Sequence, residues 1–340
     1  MPGHDIIVIG SSAGGVDALT KLVNQLPANL PASIFTVLHI PARSPSFLPD
    51  ILSRSGPLPA IHPTDGEEIT HGRIYIAPPD QHLLIERGYV HIVKGPRENR
   101  HRPAIDPTFR SAALAYGPRV VGIILTGALG DGTAGLLAIK QCGGIAVVQD
   151  PHDALYPSMP LSALTHVQVD YMVPLALIGP LLMRLVAEQV EEKEVYPLSG
   201  ELKKETVLAE MNPNTSSNSN SSRAGTPSAF SCPECGGVLW ELQNDDLLRF
   251  RCRVGHAFSV ESVLDAQSEQ LEAALWMAIK TMEEHASLSN RMAMRMRARG
   301  QEQLARNFEE KKLQAEQSAL LMQQILRKGE LPTTPETSTT

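Results

Sequence analysis

Over residues 1–193, short β-branched runs alternate with longer stretches of helical periodicity, the signature of a parallel sheet covered by helices. Asp5–Gly10, Ser33–Ile40, Val120–Thr126 and Gly144–Gln149 read as strands, and Gly14–Gln25, Pro107–Tyr116 and Gly132–Gln141 as the helices between them. Right-handed crossovers then stack the strands into one open sheet. The fold class is therefore α/β, a doubly wound, mostly parallel, Rossmann-like three-layer arrangement. Gly72–Val93 breaks the pattern. Its runs Arg73–Ile76 and His82–Val93, interrupted at Arg87-Gly88, predict a small antiparallel insertion forming one wall of a site.

A last helix of this domain is expected to end near Lys193. Around Met211 to Phe230 the chain is rich in Asn, Ser and Pro, a composition that cannot bury enough apolar surface to fold, so residues 194–229 read as a flexible linker. A cysteine cluster occupies 230–258. Residues 259–328 have few breakers except Gly300 and place Leu264, Leu271, Leu275 and Met282 at helical spacing, which predicts a pair of helices before a disordered tail at 329–340. Their Met, Leu and charge content suits plain core packing, in an intramolecular hairpin or in a homodimeric coiled coil that would make the chain a homo-oligomer.

Composition narrows the partners. The 340 residues are 42% hydrophobic and 20% charged, and the net charge of -7 gives no general electrostatic reason to bind nucleic acid or an anionic membrane. A protein or small-molecule partner is the expectation. No basic segment followed by an apolar core opens the chain, and the longest apolar stretch, near Tyr171 to Val186, is interrupted by Pro174, Pro180 and Arg184. No membrane insertion and a cytoplasmic location are expected. Three of the four cysteines cluster late in the chain, which suits a reducing compartment.

The candidate chemistry falls at strand ends. Gly10-Ser11-Ser12-Ala13-Gly14 matches a serine on a sharp strand-to-helix turn, flanked by glycines that permit the tight backbone. There the Ala13 N–H and the dipole of the following helix can face a developing oxyanion. A dinucleotide loop is the competing reading. Against it, the middle glycine of that pattern falls on Ser12, and the second strand ends in His39 where an acidic ribose ligand would stand. His39 can serve as general base and acid for Ser12; its bland alternative is a ring satisfied by backbone. Asp131, in the Gly-rich turn Gly127-Ala128-Leu129-Gly130-Asp131-Gly132, can fix the histidine tautomer, or simply cap the helix that starts nearby. The order Ser, His, Asp is not that of α/β-hydrolases.

Together, Ile9-Gly10-Ser11-Ser12-Ala13-Gly14-Gly15, Leu38-His39-Ile40-Pro41, Tyr75-Ile76-Ala77-Pro78-Pro79, His82, Arg100-His101-Arg102-Pro103-Ala104-Ile105-Asp106, Ile124-Leu125-Thr126-Gly127 and Gly130-Asp131-Gly132 resemble the catalytic domain of chemotaxis protein-glutamate methylesterases. The resemblance spans about Asp5 to Ala187. It implies a serine carboxylic-ester hydrolase that cleaves glutamate γ-methyl esters on methylated chemoreceptors to glutamate and methanol, with receptor glutamine deamidation as a second activity. It also implies Ser12, His39 and Asp131 as the triad, with no cofactor for catalysis. The second oxyanion donor would come from Ala128 or Leu129, and Arg100 and Arg102 would orient substrate through charge-assisted bonds. Two features depart from the family. The first strand begins at Asp5, so no receiver domain and no aspartyl-phosphate control within the chain are expected. Ala128-Leu129-Gly130 stands where many relatives carry a Met-Gly-Asn type sequence. The rival of another class is a noncatalytic receptor-binding scaffold.

Cys232-Pro233-Glu234-Cys235, then Cys252 and His256, form a Cys₃His set on two short knuckles joined by a hairpin-like stretch, Val238–Arg251. Four protein ligands of this softness suit a structural Zn²⁺ with no open position for catalysis. The alternatives are reduced, unmetallated cysteines or redox chemistry at Cys-x-x-Cys, and the latter lacks a thioredoxin-like context. Arg249, Arg251 and Arg253 make only a small basic patch, so docking or dimerisation is expected of this module rather than nucleic-acid binding.

Overall fold

The computed structural model describes residues 3–190, 205–206, 225–244 and 247–328. It divides into two compact units, Met1–Val263 and Leu264–Thr340. In the first, the chain runs β1 (Ile6–Ser11), α1 (Gly15–Val23), β2 (Ser33–Leu38), α2 (Leu48–Ser55), β3 (Ala60–Ile61), β4 (Arg73–Ile76), β5 (His82–Glu86), β6 (Tyr89–Val93) and α3 (Ile105–Tyr116). There follow β7 (Val120–Ile124), α4 (Thr133–Gln141), β8 (Ile145–Gln149), α5 (Ser158–His166), β9 (Tyr171–Val173) and α6 (Leu175–Ala187). Seven strands pair in the order β3-β4-β2-β1-β7-β8-β9, all parallel. Side chains alternate across such a sheet. Ile7 and Ile9 of β1 therefore join Leu19, Leu22 and Leu182 in one core, while Ile6 and Val8 join Phe109, Leu136 and Ile139 in the other.

The strand order reverses at β1, whose neighbours are β2 on one side and β7 on the other. Crevices outside the carboxyl ends of strands at such a switch point are where open α/β sheets bind ligands. Ser12, His39 and the Gly127–Asp131 turn follow these three central strands.

The antiparallel insertion is smaller than the sequence predicts. Only β5 and β6 form a two-stranded antiparallel ribbon, whereas Arg73–Ile76 pairs in parallel with β2. Ile74, Tyr75 and Ile76 are all buried, so this run belongs between two helical layers and not on a one-sided hairpin. Helix α6 ends at Ala187, short of the expected Lys193, and residues 191–193 lie outside those described.

Beyond the sheet, β10 (Thr226–Ser231), β11 (Val238–Asn244), β12 (Leu247–Cys252) and β13 (Ala257–Ser259) form a four-stranded antiparallel ribbon. It starts inside the stretch expected to be linker. Glu205 and Thr206, also in that stretch, are buried; residues 194–204 and 207–224 of it lie outside those described. Glu205 sits in a buried ion cluster. Arg249 chelates it at 2.8 and 3.1 Å, and Arg110 and Arg251 converge on Glu98 at 2.7 and 3.2 Å. Burial opposes the charge on Glu205, but Arg249, Arg251 and Arg110 outweigh it and hold its carboxyl at about 2. Its contribution to stability is thus present above the ordinary glutamate range and is lost as pH falls towards that value.

Arg110 is fully buried between the two carboxylates, Glu98 and Glu205, which also pair with Arg251 and Arg249 of the ribbon. Removing one member of a buried ion group strands the charges it neutralised. Arg110→Ala is expected to lower stability by about 3–5 kcal/mol in urea unfolding. A loss below ~1 kcal/mol would mean that Arg249 and Arg251 balance both glutamates unaided.

In the second unit, α7 (Val260–Ala298), which begins in the first, turns at Gly300 into α8 (Glu302–Lys328). Arg297 meets Glu309 at 2.7 Å and Gln323 meets Glu283 at 3.4 Å, the register of an antiparallel hairpin. The buried seam is Ile279, Ala286, Ser289, Ala293 and Met296 against Ala305, Ala315 and Ala319. It differs from the expected stripe: Leu264 and Leu271 are exposed, because alanines at heptad spacing permit the closest helix approach. No helix among the described residues is long and apolar enough to cross a membrane.

Candidate active site

The turn after β1 is fixed by two backbone bonds. Ser12 N–H donates to Thr126 O, and Gly15 N–H donates to Ser12 O at 2.9 Å. Gly14 lies at φ 76, ψ -1, the conformation that the third position of a type II turn requires and that glycine adopts without strain. Gly15 can carry no side chain either, since a Cβ there would lie 2.6 Å from Leu38 Cδ1 and Ser11 Oγ. Ser12 consequently leaves the sheet at the head of α1.

Ser12 Oγ lies 3.0 Å from His39 Nδ1, and His39 Nε2 lies 2.7 Å from Asp131 Oδ2. Burial opposes ionisation of Asp131. Hydrogen bonding and the charge of His39, followed by the Ile105 N–H, outweigh it and hold the carboxyl well below the usual range. An ionised carboxylate only accepts, so Nε2 of His39 carries the proton and Nδ1 is free to accept from the Ser12 hydroxyl. The ring is used the other way round from the serine-protease template, in which Nε2 faces the serine.

Asp131 does cap a helix, but not the one that follows it. Ile105 N–H donates to its Oδ2 at 2.7 Å and Asp106 N–H to its Oδ1 at 3.4 Å, so the carboxylate occupies the positive end of α3. Asn99 Nδ2 adds a bond to Oδ1 at 2.9 Å. The nearby Asp106 is held well above the usual carboxylate range by burial and by the charge of Asp131. Within this pair the negative charge therefore rests on Asp131.

A cavity of about 500 Å³ opens over Ser12 and His39, lined further by Ala13, Ile40, Pro41, Ala42, Arg97, Arg100, His101 and Arg102. His101 stacks on His39 with ring centroids 3.6 Å apart. Burial, then the neighbouring His39, pushes His101 down to about 4. It stays neutral near pH 7 and adds no charge to oppose a transient imidazolium on His39.

Of the residues expected to contact substrate, Ala13 and Arg100 line this cavity. Arg102 lines it too, but its guanidinium is bonded to Asp80 and to Gly95 O, so it braces the wall. Leu129 is not placed to serve an oxyanion: its N–H donates to Ser158 Oγ at 3.0 Å, and neither it nor Ala128 is among the described residues around the cavity. His101 and Arg97 were not singled out as site residues by the sequence, although His101 lay inside the Arg100-His101-Arg102 motif.

The CheB methylesterase family model matches residues 7–182, just over half of the chain. The chain belongs to the CheB methylesterase family. A Leptospira interrogans protein provisionally named protein-glutamate methylesterase/protein-glutamine glutaminase is 40% identical over 191 residues, 56% of this chain and 99% of that one. An Anaeromyxobacter dehalogenans protein-glutamate methylesterase/protein-glutamine glutaminase is 36% identical over 187 residues, 54% of this chain and 52% of its own length. The crystal structure of the Thermotoga maritima CheB methylesterase catalytic domain superposes with a TM-score of 0.52 at 34% identity, covering 53% of this chain and 98% of that domain.

The CheB match stops before the ribbon, where Cys232, Cys235, Cys252 and His256 bring one ligand atom each to within 4.8 Å of one another. Cys235 and Cys252 sulfurs are 3.7 Å apart, and His256 Nδ1 is 3.7 and 3.5 Å from those of Cys232 and Cys252. A tetrahedron with bonds of ~2.3 Å to sulfur and ~2.0 Å to nitrogen has edges of roughly 3.8 Å and 3.5 Å. The four side chains are thus spaced as ligands of a single metal ion.

Proposed function

We propose that this chain is a protein-glutamate methylesterase that hydrolyses γ-glutamyl methyl esters of chemoreceptors, with Ser12 as nucleophile, His39 as general base and acid, and Asp131 as its orienting carboxylate. The observation that carries this reading is the unbroken series of hydrogen bonds from Ser12 through His39 to the buried Asp131. Ser12 Oγ attacks the ester carbonyl as His39 Nδ1 takes its proton, and the imidazolium is stabilised through Nε2–H by Asp131. The Ala13 N–H at the head of α1 faces the developing oxyanion. His39 returns the proton to the departing methoxide, giving methanol and an acyl-serine, and then activates the water that releases glutamate. A receptor glutamine would follow the same path with ammonia leaving. Arg97 and Arg100, at the rim, suit a substrate segment that carries carboxylates beside the ester.

Cys232, Cys235, Cys252 and His256 would hold a Zn²⁺ that supplies a structural crosslink and leaves no open position for substrate. The test of the function is methanol release from a receptor methylated on its glutamates, by the wild-type chain and by a folded Ser12→Ala variant. Release by wild type and loss of ~10³-fold or more in the variant is expected. Equal release by both would remove Ser12 from the mechanism, and no release by wild type would favour a noncatalytic receptor-binding scaffold.

A further inference from the structure

The loop that walls the active site also forms a β-bridge to the metal ribbon. Glu98 and His101 exchange backbone bonds, and between them Asn99 and Arg100 lie at φ 49 and 70, the two left-handed positions of a type I′ turn. Asn99 N–H donates to Ala257 O at 2.7 Å and Ala257 N–H donates to Arg97 O at 3.3 Å, so β13 pairs with this turn immediately after the ligand His256. The Asn99 side chain is buried and all three of its bonds are specific. Its Nδ2 gives one proton to Asp131 Oδ1 at 2.9 Å and the other to Asp106 Oδ2 at 3.0 Å, while its Oδ1 accepts from Ser259 N–H at 2.7 Å. On the far side of the same turn, Arg97 meets Glu234, between the first two cysteines, at 3.7 Å.

An amide that accepts from the ribbon and donates to two carboxyl groups has no alternative orientation, because a flip would set its NH₂ against Ser259 N–H. We infer that Asn99, locked by strand β13, is a positioning residue that holds Asp131 against His39, and that the ribbon is thereby a working part of the esterase site. This rests on the reading of Asp131 as the triad carboxylate. It explains why a module outside the family match is tied to the catalytic loop by backbone pairing, a side-chain amide and a buried ion cluster. Metal binding at the ribbon would then set the register of β13, and with it the stiffness of the loop that carries Asn99, His101 and the cavity arginines.

The discriminating substitution is Asn99→Asp. It keeps the size of the side chain and the acceptor for Ser259 N–H, but removes the donor to Asp131. Outer partners that orient a reacting group act on a scale of about 10- to 100-fold. We expect kcat to fall by that factor in full-length Asn99→Asp and Asn99→Ala, with KM within about twofold of wild type. Two readouts need no substrate. A low-field imidazole proton from the His39–Asp131 bond is expected in the NMR spectrum of the wild-type chain and should broaden or vanish in both variants. The Asn99 amide should exchange slowly with solvent in the metal-loaded wild-type chain and lose that protection when a chelator strips the ribbon. Wild-type kcat and an unchanged low-field proton in Asn99→Asp would overturn the positioning role, and protection of Asn99 that survives metal removal would overturn the ribbon's part in it. If wild type released no methanol, the functional reading would fail, while the proton and exchange measurements would still decide this one.

Discussion

Asp131→Asn is expected to lower kcat by about 10⁴-fold, with the fold intact by circular dichroism. The carboxylate accepts from His39 and Ile105 on one oxygen and from Asn99 and Asp106 on the other. An amide offers one oxygen and one NH₂. If the oxygen faces His39, the NH₂ meets the Asn99 amide and the Asp106 N–H, donor against donor. If the NH₂ faces His39, the ring must carry its proton on Nδ1 and can no longer accept from Ser12. The donor-donor clash disfavours the first arrangement, and the second disables the general base while leaving the cavity and its arginines in place, so KM should change little. A loss of less than tenfold would show that Asp131 is a helix cap for α3 and no more.

The second large effect concerns the ribbon. Its own core is small: Leu239, Phe250, Phe258 and Val263 pack around Cys232 and Cys252. Modules of this size gain most of their folding free energy from the metal, with apparent binding free energies of about 10–16 kcal/mol for structural zinc. The purified chain is expected to carry one Zn²⁺, and a strong chelator to abolish hydrogen-exchange protection across β10–β13. Protection in β1, β2 and β7 should persist, because those strands are buried between two cores that do not include the ribbon. Ribbon protection unchanged by the chelator would mean that the buried ion cluster and the apolar contacts suffice without metal.

The central sheet was legible from hydrophobic runs because buried parallel strands have little else in their sequence, and the switch-point site followed from what stood at their ends. Ser12 and Asp131 each had a local signature, a glycine-flanked turn and a glycine-rich loop. His39 had only its place at the end of β2, and three-dimensional adjacency made it meaningful. β4 pairs in parallel with β2 and not within the antiparallel insertion, since a four-residue run bordering a hairpin gives no sign of which strand it will pair with. The Ala128–Leu129 loop suggests an oxyanion donor by its neighbourhood, and no feature of the chain announces that Ser158 takes the Leu129 N–H. Asn99 carries a weak signal, an Asn in a turn before the Arg-His-Arg motif, but its partners Asp106, Asp131 and Ser259 are distant in sequence. The buried seam of the helical hairpin was obscured by a different cause. The exposed leucines of α7 are more hydrophobic than the alanines that make the contact, so apolar strength along the sequence does not mark the buried face.

The most direct test of the central claim is to treat the full-length chain with an active-site phosphonate and locate the label by peptide mass spectrometry while following methanol release from a methylated receptor. The account predicts one phosphonyl group per chain on Ser12, with activity lost in proportion to labelling. Full activity with Ser12 completely labelled, or activity lost through a label on another residue, would contradict it.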